Sequence, residues 1–584
     1  MKAQIKKITV SLLFILMLTT MLTACTQSNQ ADLSETPSSP TTAADNSEDA
    51  WQEAKTTAFA SYPETVAFTV GRTAGNYSAL AGSPYEKDND DNDAVTRFME
   101  HELNLDISNK FVAVDGDDYQ QKVSMAIVSR DIPDVMSVGD YATLKELYEN
   151  NLIEDLTDAY SHCASDNMRA IYDSYDGRAL EAATFNGRLM ALPSCNISHG
   201  FEMLYLRKDW MDKLGLKEPE TLEDVAAILS EFIVKDPGGN GPGNTIGLVA
   251  LPDAYGGGTG GFKFNAIFNS GFEAFPEYWI EKDGRVTYGS IEPEVKTALV
   301  LLSDWYGKGL IDPQFLVRDW NSASSVVANG QSGSLFAPWW AYDSMLNANY
   351  KLDPQAEWVP YAVPADKEGK VVQVNSQAAL SYVVVRKGFE HPEVLLKITA
   401  LLDAAHKDPG FGEGRENDEY MKALLYYHER NVSVAPPNAS TDFYNALEIS
   451  YKQISDALKT KDTSQMTTQI KGFYELAQAY ADKLSQGETP LPEEYSAYNS
   501  RIVGCGMLAA TPVREVTPVF FTGMQTTDSM KLRWETLSRM EEETLLKIIV
   551  GEKPIDAFDT FVKEWRAAGG DQIIKEVQAL VDAR

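Results

Sequence analysis

The densest group of residues able to recognise a ligand is Phe336-Ala-Pro-Trp339-Trp340-Ala-Tyr342. An indole offers a broad apolar face and one N–H donor. That combination suits a ligand with apolar C–H faces and a rim of hydroxyls, as a sugar has. The run follows a glycine- and serine-rich stretch and a short apolar segment, Leu335–Ala337, placed where the chain is expected to cross between two lobes. Asp140 and Tyr141 follow a predicted strand over Pro133–Val138. Arg72 follows one over Thr65–Gly71, where its guanidinium could donate paired hydrogen bonds to hydroxyls or a carboxylate, a surface ion pair being the competing use. Tyr255, Trp279 and Trp320 are further aromatic candidates, whereas Trp210, Trp305, Trp534 and Trp565 fall within helical patterns and are assigned to the core.

Catalytic signatures are missing. No G-x-S-x-G elbow, H-E-x-x-H zinc site or phosphate-cradling glycine loop is present. A glycan hydrolase would need two carboxylates at a set separation, which the abundant acids do not exclude. They read instead as solvated faces, so the chain is expected not to be an enzyme. Six scattered histidines weaken a metal receptor. With 51 basic against 85 acidic residues, the net charge of −34 argues against nucleic acid as a partner.

The elements that must position these residues begin with a leader. Lys2, Lys6 and Lys7 precede an apolar run from Ile8 to Leu18, too short for a comfortable bilayer span and flanked like an export signal. It ends in Leu22-Thr23-Ala24-Cys25, similar to a bacterial lipobox. Residues 1–24 are therefore expected to be a lipoprotein signal peptide and Cys25 the lipidated residue. The following Ser-, Thr-, Asn- and Pro-rich stretch is read as a flexible tether over 25–60. These features place the protein on the extracytoplasmic face of the cell membrane. Cys163, Cys195 and Cys505 could form one disulfide at most, and three isolated thiols fit equally well.

From residue 61 the pattern is β-α-β-α-β: strands at Thr65–Gly71, Phe111–Asp115 and Pro133–Val138, with helices over Ala94–Leu105 and Tyr119–Ser129 between them. That order predicts an α/β doubly wound sheet, with ligands beyond the carboxyl ends of the strands. Further strands are expected at Phe201–Arg207, Leu335–Ala337 and Tyr382–Arg386. The last third is mostly helical, including one long helix over Asp556–Val581. The body, 61–584, divides into two discontinuous lobes: roughly 61–190 with part of 330–440, and 191–330 with the C-terminal helices.

Several stretches in this order resemble the large extracellular solute-binding lipoproteins of carbohydrate ABC importers. Tyr119-Gln-Gln-Lys-Val with Ser129-Arg-Asp-Ile-Pro-Asp134, Phe185-Asn-Gly-Arg-Leu-Met-Ala-Leu-Pro193, Met203-Leu-Tyr-Leu-Arg-Lys-Asp-Trp-Met-Asp-Lys-Leu-Gly-Leu216 and Tyr306-Gly-Lys-Gly-Leu-Ile-Asp-Pro313 carry the likeness. Phe521-Thr-Gly and Asp559-Thr-Phe-Val-Lys-Glu-Trp565 extend it to the C-terminal end. The resemblance implies a two-lobed periplasmic-binding-protein-like fold with a hinge and a helix-rich C-terminal part. It further implies a monomer that captures an oligosaccharide by closing and delivers it to an ABC permease. A receptor of the same fold for a peptide or other small solute, or an anchored hydrolase, are the alternatives. Trp339 and Trp340 lie in a stretch similar to the sugar-contacting one of maltose-type binding proteins, and His199 and Glu202 stand where relatives place hinge-side contacts. Some relatives carry a calcium loop where this chain has Asp236-Pro-Gly-Gly-Asn240-Gly-Pro-Gly-Asn244-Thr245. One carboxylate remains here and Thr245 replaces the glutamate, so the expectation is a glycine-rich turn without metal, and no cofactor.

Overall fold

The computed structural model describes residues 43–582 apart from 258–259, 409, 413, 416, 430–431, 433, 435–437, 465 and 520–525. The leader, Cys25 and Phe521-Thr-Gly lie outside the described residues. Strand β1 (Val66–Thr73) buries Val66, Phe68 and Val70, the period of two that a strand with one face on the core requires. Beside it runs the edge strand β2 (Leu105–Ala113), whose Asp106, Ser108 and Lys110 face solvent and blunt the edge. β3 (Val135–Val138) pairs with the other side of β1, both pairings being parallel as expected of doubly wound segments. β4 (Leu192–Cys195) completes the first pass through this half.

The chain then builds a second sheet from β5 (Met203–Arg207), β6 (Ile246–Val249), β7 (Ser332–Ala337) and β8 (Trp358–Tyr361), in the order β8-β5-β7-β6. Every residue of β5 and β7 is buried, which matches a composition that is apolar or small except for the ion-paired Arg207, and a sheet covered on both faces. After β9 (Val371–Val374) the chain returns to the first sheet as β10 (Ala379–Val385), antiparallel between β3 and β4. Much later, β11 (Val513–Val516) lies parallel to β9.

Each sheet has its own apolar core. The first draws on residues 54–195 and 378–439. The second half holds two clusters over 201–371 and 447–577. The chain therefore passes between halves three times, at 196–202, 362–378 and 440–446. These crossings are laced together. Asn196 donates to the carbonyls of Ala378 and Gln377 at 2.9 Å, Ser198 N–H to Tyr444 O at 2.8 Å, and Gln373 Nε2 to Ser198 Oγ at 2.9 Å. Asn375 is the hub: its Nδ2 donates to Glu515 and Thr517, and its Oδ1 accepts from the Tyr444 hydroxyl at 3.0 Å.

Three expectations are corrected. Ala43–Thr56 is a helix, so the tether does not extend to 60; Ala54 is fully buried and Lys397 Nζ donates to Ala54 O and Thr57 O. The tryptophan pair does not mark a crossing, because β8 rejoins the same sheet and residues 330–361 stay with the second half. The long C-terminal helix breaks at Gly569, whose φ of 129° no helix holds, leaving Ala557–Trp565 and Asp571–Asp582 as separate helices. Of the two cysteine alternatives the structure has the second: Cys163, Cys195 and Cys505 are buried free thiols.

Candidate functional site

β5 begins, and β7 ends, at the edge of the second sheet that faces the crossings, since Met203 is opposite Ala337. The residues after β7 and before β5 therefore gather at this edge. The two tryptophans diverge there. Trp340 turns towards the start of the helix Trp320–Ala328 and stands 6.0 Å from Trp320, which itself packs on Phe262 at 5.3 Å. Trp320 is 39% exposed, so this pair keeps an aromatic face in solvent. Gly261 permits the arrangement, because a Cβ there would lie 3.1 Å from the Trp320 ring.

Trp339 turns the other way, into the helical layer, and is 7% exposed. It forms one wall of a cavity of about 300 Å³. The wall opposite comes from the first half, through Asn167 and Lys407, and the crossings contribute Ile197, Asp442 and Phe443. Arg501, from the π-helical turn Asn499–Gly504, lies between two rings: its guanidinium carbon is 4.4 Å from the Trp339 centroid and 4.1 Å from that of Phe473. Cation–π attraction on both faces fixes the guanidinium plane. Trp339 Nε1, Arg501 Nε and Gln453 Oε1 are buried without a protein partner, and all three residues line this cavity. Native interiors rarely leave such groups unpaired. Two donors and an acceptor beside aromatic faces suit a polyhydroxylated ligand.

Glu202 occupies a narrower crevice beside the crossings, with Asn265, Ser270, Tyr278 and residues of β9. Gly260 N–H and Asn265 Nδ2 donate to its Oε1 at 3.0 and 3.3 Å, while Oε2 has no protein partner. Burial pushes its carboxyl up to about 7, outweighing those donors and the Lys263 charge. The space is about 20 Å³, room for one water. His199, three residues earlier, has a buried Nδ1 without a partner, and burial lowers its pKa.

The remaining candidates do other work. Asp140 caps the helix Tyr141–Glu149, accepting from Thr143 N and Oγ1 at 2.8 and 2.9 Å. Tyr141 stacks on Phe185 at 5.6 Å. Both sit at the carboxyl edge of β3, where topology puts them. Arg72 is not a surface ion pair: it is 4% exposed, joined to Asp93 at 3.0 Å and supporting the cap of Ala94–Leu103. Tyr255 and Trp279 are core residues, packed on Phe268 and on Tyr288 with Trp534, so their faces are taken. In the glycine-rich loop, Asp236 accepts from Asn240 N, Gly241 N and the Thr245 hydroxyl at 2.9, 2.8 and 2.6 Å. These donors hold its pKa down, Thr245 foremost. Hydrogen-bond donors surround the lone carboxylate where further oxygen ligands would be needed, so the loop does not fit calcium. Among the described residues no group of three His, Cys, Asp or Glu is placed to hold a metal ion.

Arg501, Phe473 and Gln453 are not among the sequence candidates. They lie in helices whose amphipathic spacing signals burial without naming the surface they cover; the one sequence signal is an arginine in an otherwise uncharged stretch, Ser500-Arg-Ile-Val-Gly-Cys.

Comparison with known proteins places the architecture. A fructooligosaccharide ABC transporter substrate-binding protein of Streptococcus pneumoniae, FusA, is 27% identical over 251 residues, 40% of this chain and 45% of FusA. Lipoprotein LipO of Bacillus subtilis is 33% identical over 130 residues, 22% of this chain and 25% of LipO. The polygalacturonan/rhamnogalacturonan-binding protein YtcQ of Bacillus subtilis is 21% identical over 388 residues, 64% of this chain and 66% of YtcQ. The chain thus spans less than two thirds of each of these relatives. An HMO-binding solute-binding protein of Bifidobacterium longum infantis has the same fold, with a TM-score of 0.59 at 15% identity over 89% of this chain and 99% of its own. An EF-hand mutant of FusA in complex with fructo-nystose superposes at a TM-score of 0.56 and 16% identity, over 88% and 99%. Residues 83–405 match the model of the bacterial extracellular solute-binding proteins, and with two sheets, three laced crossings and a cavity walled from both halves, the chain belongs to that family.

Proposed function

We propose that this protein is a lipid-anchored receptor on the extracytoplasmic face of the membrane that closes on an oligosaccharide and delivers it to an ABC-transporter permease, acting as a monomer and without catalysis. The observation that carries the reading is the cavity at the crossings, walled by Trp339 and Arg501 from one half and Asn167 and Lys407 from the other. A ligand there touches both halves and favours the state in which they approach, and its differential affinity sets how far the population moves. The relatives named as sugar-binding and the lipoprotein relative support the ligand class and the anchor.

The test uses the purified chain from Thr26 onward, a panel of oligosaccharides and solution scattering. The expected result is a thermal upshift with one glycan class and a smaller radius of gyration at saturation. Trp339→Ala should weaken that binding at least about tenfold. Binding of peptides but of no glycan, or glycan binding with unchanged dimensions and no effect of Trp339→Ala, would overturn it.

A further inference from the structure

We infer that the ligand of the crossing cavity carries a carboxylate, seated on Arg501, and so belongs to the acidic oligosaccharides; this rests on the receptor reading above. Other guanidinium groups of this protein meet carboxylates. Arg72 meets Asp93 at 3.0 Å, Arg207 meets Asp209 at 2.7 Å, Arg386 meets Asp134 at 2.6 Å and Arg514 meets Asp366 at 3.2 Å. Arg318 is paired with Asp312 and Arg415 with Asp418. Arg169 and Arg178, also half-buried, donate instead to the backbone carbonyls of Tyr160 and Ser161 and of Tyr175. Where these guanidinium groups leave bulk solvent, a carboxylate or a carbonyl is supplied, because a desolvated charge without a partner is costly.

Arg501 departs from that pattern. It is half-buried, its buried Nε has no protein acceptor, and among the described residues no Asp or Glu lies within ion-pair distance of it. The Trp339 and Phe473 rings lie against it and the Cys505 thiol beside it, so what it offers the cavity is its remaining N–H donors, a planar set that matches a carboxylate. Lys407 pairs with Asp403 at 3.1 Å and donates to Thr441 O. The Asp442 carboxylate accepts from Phe443 N–H at 2.8 Å and has no ion-pair partner among the described residues, so an incoming anion must seat away from it. Arg501 is the cation of the wall without an ion-pair partner among the described residues. Gln453 Oε1 and Trp339 Nε1 add an acceptor and a donor for hydroxyls, and the two rings an apolar face. A simple inorganic anion would use the guanidinium alone; an acid sugar uses the whole set. The π-helical turn that presents Arg501 is the kind of irregularity that recurs at binding sites. The chain as a whole is strongly acidic, so its general field repels anions and selection must be local.

The experiment immobilises the chain from Thr26 onward and offers a mixture of uronate-containing and neutral oligosaccharides from several polysaccharides, reading the retained species by mass spectrometry. Carboxylated species should be retained. Reducing their carboxyl groups to alcohols should weaken binding to the unaltered protein at least about tenfold. Arg501→Gln should lose the preference, whereas Trp339→Phe should keep it at lower affinity. Retention of neutral oligosaccharides in preference, or carboxyl reduction without effect, overturns the assignment while leaving the receptor reading intact. If no oligosaccharide of either kind is retained, the receptor reading falls and this inference with it.

Discussion

Glu202 gives the sharpest test of the crossing geometry. Its carboxyl is held at about 7 instead of 4.5 because burial at the start of β5 penalises the ionised form. At about 1.4 kcal/mol per pH unit of displacement, ionisation costs the folded state on the order of 3 kcal/mol relative to the unfolded chain. Below pH 4.5 the group is protonated in both states and the cost is absent. As pH climbs, the unfolded chain ionises first, so stability is lost progressively until the folded carboxyl also ionises near 7, beyond which the loss is complete. Glu202→Gln keeps the Oε1 acceptor for Gly260 N–H and Asn265 and removes the titration. Its amide also places an N–H₂ at the unpartnered Oε2 position, a cost of about 1–3 kcal/mol that does not vary with pH. The quantity to measure is therefore the change with pH of the stability difference between variant and wild type, from urea unfolding at about pH 5 and about pH 8. That difference should move in favour of the variant by about 2–3 kcal/mol. Glu541, also pushed up to about 8 by burial, is present in both proteins and cancels. A difference that stays constant within about half a kcal/mol would show that Glu202 is solvated or paired as a charge, and the closed crevice around it would be wrong.

Asn375→Leu leaves the half-buried Tyr444 hydroxyl without its partner, so stability should fall by about 1–3 kcal/mol, while the exposed Glu515 and Thr517 side chains turn to water. The same variant should loosen the crossings, seen as faster amide exchange in 371–378 and 440–446. Asp236→Ala should lower the melting temperature at neutral pH, and the gap should narrow as pH falls, because the wild-type carboxylate is stabilised by its loop donors and loses that advantage on protonation. Millimolar calcium should leave the wild-type melting temperature unchanged; a rise reversed by a chelator would refute the hydrogen-bonded reading of the loop. Trp340→Ala should weaken glycan binding with a smaller loss of stability than Trp339→Ala, since Trp340 is only half-buried beside Trp320; equal losses of stability would make Trp340 a core residue.

The doubly wound start was legible because β1 and β3 are short apolar runs between helices of clear period, and the carboxyl-edge rule then located Asp140 and Tyr141 correctly in the topology. What composition could not give was the depth at which a ring lies. Trp279 and Trp339 are both tryptophans near strand ends, yet one is sealed among Tyr288 and Trp534 while the other borders a cavity. The difference depends on helices far away in the chain. β11, four residues of Val-Arg-Glu-Val, was too short and too polar to register as a strand, although it pairs along the whole of β9. Arg72 misled for a related reason: a strand-end arginine signals a free guanidinium only if no acid follows it in space, and Asp93 lies a full loop later.

The helix Ala43–Thr56 has a practical use. Trp51 stacks on His391 at 5.3 Å and Lys397 grips the helix end, so this segment moves with the first half. The last described helix, Asp571–Asp582, packs through Ile573 and Val577 into the core of the second half, with Gln578 accepting from Val286 N–H at 2.7 Å. The two extremities of the folded body therefore ride on different halves. If the protein is the receptor proposed above, a pair of fluorophores attached at these extremities would report closure as a change in energy transfer, converting it into an optical sensor for its ligand without altering a residue near the cavity.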